Sequence, residues 1–132
     1  MTAVDTNILV RLLVEDDAKQ AAEARAILAA GPVWIAKTVF LETAWVLGRL
    51  YGLDRGAVRD AFDTLLGLEN VQVEDEPAVA EALALMAHGI DFADAFHLSS
   101  RPPGVLFVSF DRSLVRRAQK AGVQRVAEVA DR

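Results

Sequence analysis

Apolar positions along the chain fall alternately into short β-prone runs and stretches of helical spacing. Thr2 to Val4 is a brief run stopping at Asp5, after which Ile8, Leu9, Leu12 and Leu13 recur at helical intervals, predicting a strand and then a helix. A second helical pattern from about Asp17 to Ala30 is closed by Gly31-Pro32, and Val33-Trp34-Ile35 reads as the next strand. Thr38 stands where it would cap a third helix, about Val39 to Leu50. Its Phe40, Leu41, Ala44, Trp45, Val46 and Leu47 cover nearly the whole circumference, so this helix should be buried on more than one side.

Gly52 ends that helix, Val58, Phe62, Leu65 and Leu66 mark a fourth, and Val71-Gln72-Val73 gives a short strand. Glu76-Pro77 opens a helix with Val79, Leu83 and Met86 on its inner face and Gly89 as its stop. Asp91 starts another through about Ser100. Arg101-Pro102-Pro103-Gly104 is a turn and Val105 to Ser109 the most strand-like run. Asp111 begins a helix ended by Gly122, and Val123 to Val126 makes a last strand. Strands separated by helices, with no hairpin dipeptides, predict an α/β fold: a parallel sheet with helices on both faces. A length of 132 residues without repeat, linker or charge block predicts a single domain, 1–132.

Composition narrows the chemistry. No run approaches the roughly 18 apolar residues of a membrane span, and no secretory leader is readable at the N-terminus, so a cytoplasmic protein is expected. Cysteine is absent, which excludes disulfides and thiolate sites and leaves any metal to oxygen or imidazole ligands. A net charge of −5 argues against broad adhesion to nucleic acid, so any polyanion would be met locally.

Acids recur at one kind of place. Asp5 follows the first strand, Asp111 follows the strongest, Asp94 lies in the first turn of a helix, and Glu42 sits one turn into the third helix. Taken singly, an aspartate at such a junction is well explained as a helix N-cap, and Asp91, three residues before Asp94, suits that role. A parallel sheet, however, gathers its strand-to-helix junctions along one edge. Clustered carboxylates raise each other's pKa unless a cation neutralises them. Oxygen-only ligands of this charge suit Mg²⁺, with Mn²⁺ as a possible substitute, and such a metal serves hydrolysis of a phosphodiester.

The chain resembles PIN domains, and among them the VapC-type toxins of toxin–antitoxin pairs. The resemblance rests on Val4-Asp5-Thr6-Asn7-Ile8-Leu9 followed by Arg11, on Glu42 in an apolar helix, on Asp91-Phe92-Ala93-Asp94-Ala95-Phe96-His97-Leu98, and on Val108-Ser109-Phe110-Asp111. It implies a three-layer fold with about five parallel strands, divalent metal held by the acids, endonucleolytic cleavage of RNA, and a cognate VapB-type antitoxin as partner. On this resemblance Asp5 and Asp94 are direct magnesium ligands, completed by Glu42 and Asp111. Thr6 and Ser109 match small hydroxyl positions that orient a carboxylate or a metal-bound water, and Asn7 braces the same turn. Asp91 is a secondary candidate for the cluster.

Other residues carry weaker expectations. Arg11, near the Asp5 turn, could grip a phosphate through paired hydrogen bonds. Arg112, Arg116 and Lys120, with Arg117 adjacent, form a basic stripe that could guide an RNA backbone, although a solvated helix face is the reading favoured, since charges on an outer helix need no special explanation. His97 is expected to pack, and His88 to favour a helix end. The apolar residues around Trp45 and around Phe62, Leu65 and Leu66 suggest a surface covered by a second copy, hence a homodimer. Two rivals stay open: a small phosphatase or phosphotransfer domain, disfavoured by Thr6-Asn7 after Asp5 and by the lack of a Lys at the late strand, and a non-catalytic module that binds metal or a basic peptide.

Overall fold

A computed structural model describes residues 1–131. Contacts divide the chain into two compact units, Met1–Glu76 and the chain from Pro77 onward. The first contains β1 (Thr2–Ala3), α1 (Thr6–Leu13), α2 (Ala18–Ala30), β2 (Val33–Ile35), α3 (Lys37–Arg49), α4 (Arg55–Leu66) and β3 (Val71–Val73). The second contains α5 (Glu76–Met86), which begins at the boundary, then α6 (Phe92–Ser100), β4 (Phe107–Ser109), α7 (Arg112–Lys120) and β5 (Val126–Glu128). The fold is α/β with parallel strands only among the described residues.

In the first unit the sheet order is β1-β2-β3, with Thr2 opposite Val33 and Ile35 opposite Val73. Three helices begin where short side chains close on exposed backbone N–H groups. Asp5 accepts from Ile8 N at 3.2 Å, Asp17 from Gln20 N at 3.0 Å, and Asp54 from Ala57 N at 2.8 Å. α3 begins differently from the expectation. Its N-cap is Ala36, which has no capping oxygen, and Thr38 lies inside the helix. The Lys37 N–H instead donates to Glu74 Oε1 at 2.9 Å, from the residue after β3, and Lys37 Nζ pairs with Asp75 Oδ2 at 2.9 Å. A carboxylate remote in sequence thus performs the work of a local cap.

Leu9, Ile35, Phe40, Leu47 and Phe62 are fully buried in this unit. The Phe40 and Phe62 rings meet edge to face, with centroids 5.3 Å apart at 85°, the arrangement their quadrupoles favour. The apolar circumference of α3 is only partly interior: Phe40, Thr43 and Leu47 are buried, whereas Trp45 is 57% exposed.

In the second unit β4 and β5 pair from Phe107 with Val126 to Ser109 with Glu128. The five expected strands are therefore present, three in one sheet and two in another. At two or three residues each they provide short ladders. The last strand begins later than the expected Val123. Val123 N–H closes the end of α7 by donating to Ala118 O at 3.0 Å, and Arg125, at φ +56°, is not extended. Arg101 stiffens this region by donating to Val105 O, Gln124 O and Arg125 O. α7 buries Leu114, Val115 and Ala118 and exposes Arg112, Arg116, Arg117 and Lys120. Arg117 is tied to the Gly89 carbonyl, and at Gly89 (φ +81°) an added Cβ would stand 3.1 Å from its Nη1.

Candidate active site

Parallel pairing sets the ends of β1 and β2 on the same edge of the first sheet. Asp5 follows β1 directly, and α3, following β2, carries Glu42 in its second turn. The two elements are joined at that edge: Thr6 Oγ1 donates a hydrogen bond to Glu42 Oε1. Thr6 thereby ties the first turn of α1 to the Glu42 carboxylate. Asp5 uses Oδ1 for the α1 cap, and a carboxylate has a second oxygen with lone pairs for another partner. Both acids are exposed to solvent.

Arg11 has a different occupation from the phosphate grip its sequence position suggested. Nε donates to Gln20 Oε1 at 2.6 Å, and Nη1 donates to Asp16 Oδ1 at 2.7 Å and Tyr51 Oη at 3.1 Å. Tyr51 Oη in turn donates to Asp16 Oδ2 at 3.0 Å. The Tyr51 hydrogen bond is the largest effect and raises the Arg11 pKa; burial opposes it, and the Asp16 charge adds to the rise. These bonds brace α1 against the segments on either side of it.

The second unit supplies the remaining acids. Asp94 lies in the first turn of α6, half-buried, while Asp91 and Asp111 are exposed. Burial, and next the negative charge of Asp91, hold the Asp94 carboxyl above its ordinary pKa. The charge of His97 opposes the rise and that of Asp111 adds to it. Asp91 takes the N-cap position expected of it, but its side chain makes no capping hydrogen bond to α6. Its carboxylate acts on Asp94 instead. His97 is exposed, not packed.

Asp111 caps α7 by accepting from Leu114 N at 3.0 Å. Ser109 Oγ accepts from Asp111 N at 3.0 Å, so the serine fixes the backbone from which that carboxylate projects. Asn7 is exposed beside Thr6, and Arg116 is exposed on α7. Arg112 Nε stands 3.9 Å from Glu128 Oε1, with its side chain 81% exposed.

Within neither unit, among the described residues, do three His, Asp or Glu side chains stand in a ready-made metal cage. The donor chemistry nevertheless fits a hard divalent ion: Asp5 with Glu42 in one unit and Asp94 with Asp91 and Asp111 in the other offer carboxylate oxygen only. No helix among the described residues is long and apolar enough to cross a membrane.

The fold is one of parallel strands and helices with acids at the strand-to-helix junctions, and residues 2–120 match the PIN domain family model. The chain belongs to the PIN-domain family. Membership places it among hydrolases of nucleic acid that generally use divalent metals. No curated protein matches the chain.

Proposed function

We propose that this protein is a magnesium-dependent endoribonuclease, the toxin of a VapC-type toxin–antitoxin pair, with Asp5, Glu42, Asp94 and Asp111 as its metal-holding acids. The observation that carries this reading is the match of residues 2–120 to the PIN domain family model, and the electrostatic state of Asp94 agrees with it. Its ionised form is disfavoured by burial and by the charges of Asp91 and Asp111, a cost that a bound cation would relieve. Bound Mg²⁺, or Mn²⁺ in its place, would supply charge stabilisation at a phosphodiester and a water activated for attack.

Within each unit the chain's own groups would aim the acids. Thr6 holds the Glu42 carboxylate in one orientation, and Ser109 holds the backbone of Asp111. The substrate is RNA, and a cognate VapB-type antitoxin restrains the enzyme in the cytoplasm. Trp45, 57% exposed, and Leu50, 68% exposed at the end of α3, offer a second copy an apolar surface, which favours a homodimer.

Asp94→Asn tests the reading. It should abolish Mg²⁺-dependent cleavage of RNA, and growth inhibition on expression, while circular dichroism stays unchanged. Cleavage retained by that variant would remove Asp94 from the chemistry, and RNA binding without cleavage by the parent chain would favour a binding module.

A further inference from the structure

The junction before α7 presents an aromatic ring that folding does not use. Phe110 is 87% exposed, the most open of the large hydrophobic side chains among the described residues. Its neighbours, by contrast, are held in place. Ser109 ends β4 and accepts the Asp111 N–H, and Asp111 caps α7 through Leu114 N. The backbone on both sides of the ring is thus bonded while the ring itself faces solvent.

The charges that follow point to a ligand. Arg112 opens α7 with its side chain 81% exposed, and its ion pair with Glu128 is loose at 3.9 Å. Arg116 lies one turn further on the same helical face and is exposed. Arg117 is held by Gly89 and is not part of this surface. A flat apolar ring followed in sequence by exposed guanidinium groups matches the needs of an unpaired nucleotide, whose base stacks on an aromatic face while its phosphates meet cations. In a chain of net charge −5, such a local feature is how a polyanion would be held. A duplex gains nothing from the ring, because its bases are already stacked.

We propose that Phe110 is a stacking platform for an unpaired base of single-stranded RNA, with Arg112 and Arg116 meeting the strand's phosphates. The assignment rests on the nuclease reading for the identity of the substrate and names Phe110 as the residue that selects unpaired over paired strands.

The test is fluorescence anisotropy of a labelled single-stranded oligoribonucleotide, with the parent chain in EDTA and the Asp94→Asn chain in magnesium. Phe110→Ala should weaken binding roughly tenfold, with Phe110→Trp restoring it. Binding to a paired duplex of the same sequence should be unchanged. Arg112→Ala and Arg116→Ala should each lower the slope of log affinity against log salt by about 0.7.

Absence of single-strand binding under both conditions, undiminished binding by Phe110→Ala, or an equal loss on the duplex would each overturn the assignment. So would a Phe110→Ala chain that keeps its RNA affinity but loses self-association or a protein partner. The two readings separate cleanly. A parent chain that binds through Phe110 but never cleaves keeps the platform and loses the nuclease. One that cleaves while Phe110→Ala binds as the parent does the reverse.

Discussion

The Thr6 hydroxyl donates to Glu42 Oε1 across 36 positions of sequence, so the first turn of α1 and the second turn of α3 share one hydrogen bond at the edge of the sheet. Its energetic weight at an exposed place is small, about 1 kcal/mol, but its geometric weight is large, because it fixes one carboxylate of the candidate site. Thr6→Val should therefore lower the melting midpoint only slightly while reducing metal-dependent cleavage at least tenfold. Thr6→Ser should restore it. Full activity in Thr6→Val would leave the hydroxyl without a role in positioning.

Asp111 caps α7, and the task proposed for it as a metal-holding acid can be separated from that one. Asparagine caps helices as well as aspartate does, whereas alanine costs about 1 kcal/mol at an N-cap. Asp111→Asn should keep the stability of the parent in urea titration and lose cleavage. Asp111→Ala should lose both, and a stable, active Asp111→Asn would confine this residue to capping.

For Asp94 the direction of the pKa shift sets the dependence on pH. Burial first, then the Asp91 charge, raises its folded value above the ordinary 3.8. The stability present below 3.8 is accordingly lost as pH rises from there through the raised folded value. Asp94→Asn removes the loss, so without metal it should melt above the parent at neutral pH, and the gap should close in acid. Magnesium should raise the midpoint of the parent more than that of the variant. Scanning calorimetry at the two pH values, with and without magnesium, reads all of these.

Thr43 is fully buried on α3, and its hydroxyl has no hydrogen-bond partner among the described residues. A buried polar group without a partner costs roughly 1–3 kcal/mol. Thr43→Val, nearly the same shape, should therefore raise the urea midpoint. Phe40→Ala, which empties one side of the Phe40–Phe62 contact, should cost about 3–5 kcal/mol. A destabilised Thr43→Val would show that the hydroxyl is satisfied in solution.

Much of this could be read from local chemistry in the chain. Asp5, Asp17, Asp54 and Asp111 announce helix starts because the capping bond spans only three residues. Glu76 and Asp91 mark two more starts in the same manner, by position in sequence. What escaped is non-local. Thr38 looks like a cap for α3, but the bond comes from Glu74, 37 positions beyond Lys37. Arg11 looks available to a phosphate until Tyr51, from 40 positions away, and Asp16 claim it.

The acids divide along the same line. Their types and spacing were readable, and so was a place for Thr6 next to them. That Asp91 would act on Asp94 by charge and make no capping bond depends on side-chain direction, which spacing does not determine. The exposure of Phe110 was equally hidden, because an apolar residue after a strand reads as core until its surroundings are known.

The Glu74 carboxylate gives α3 a start that its own sequence lacks. The helix bearing Glu42 is therefore not an autonomous segment. A fragment ending before β3 would retain every residue of α3 and still carry Glu42 on a helix whose first turn frays, so the aim of that side chain is inherited from a residue translated later.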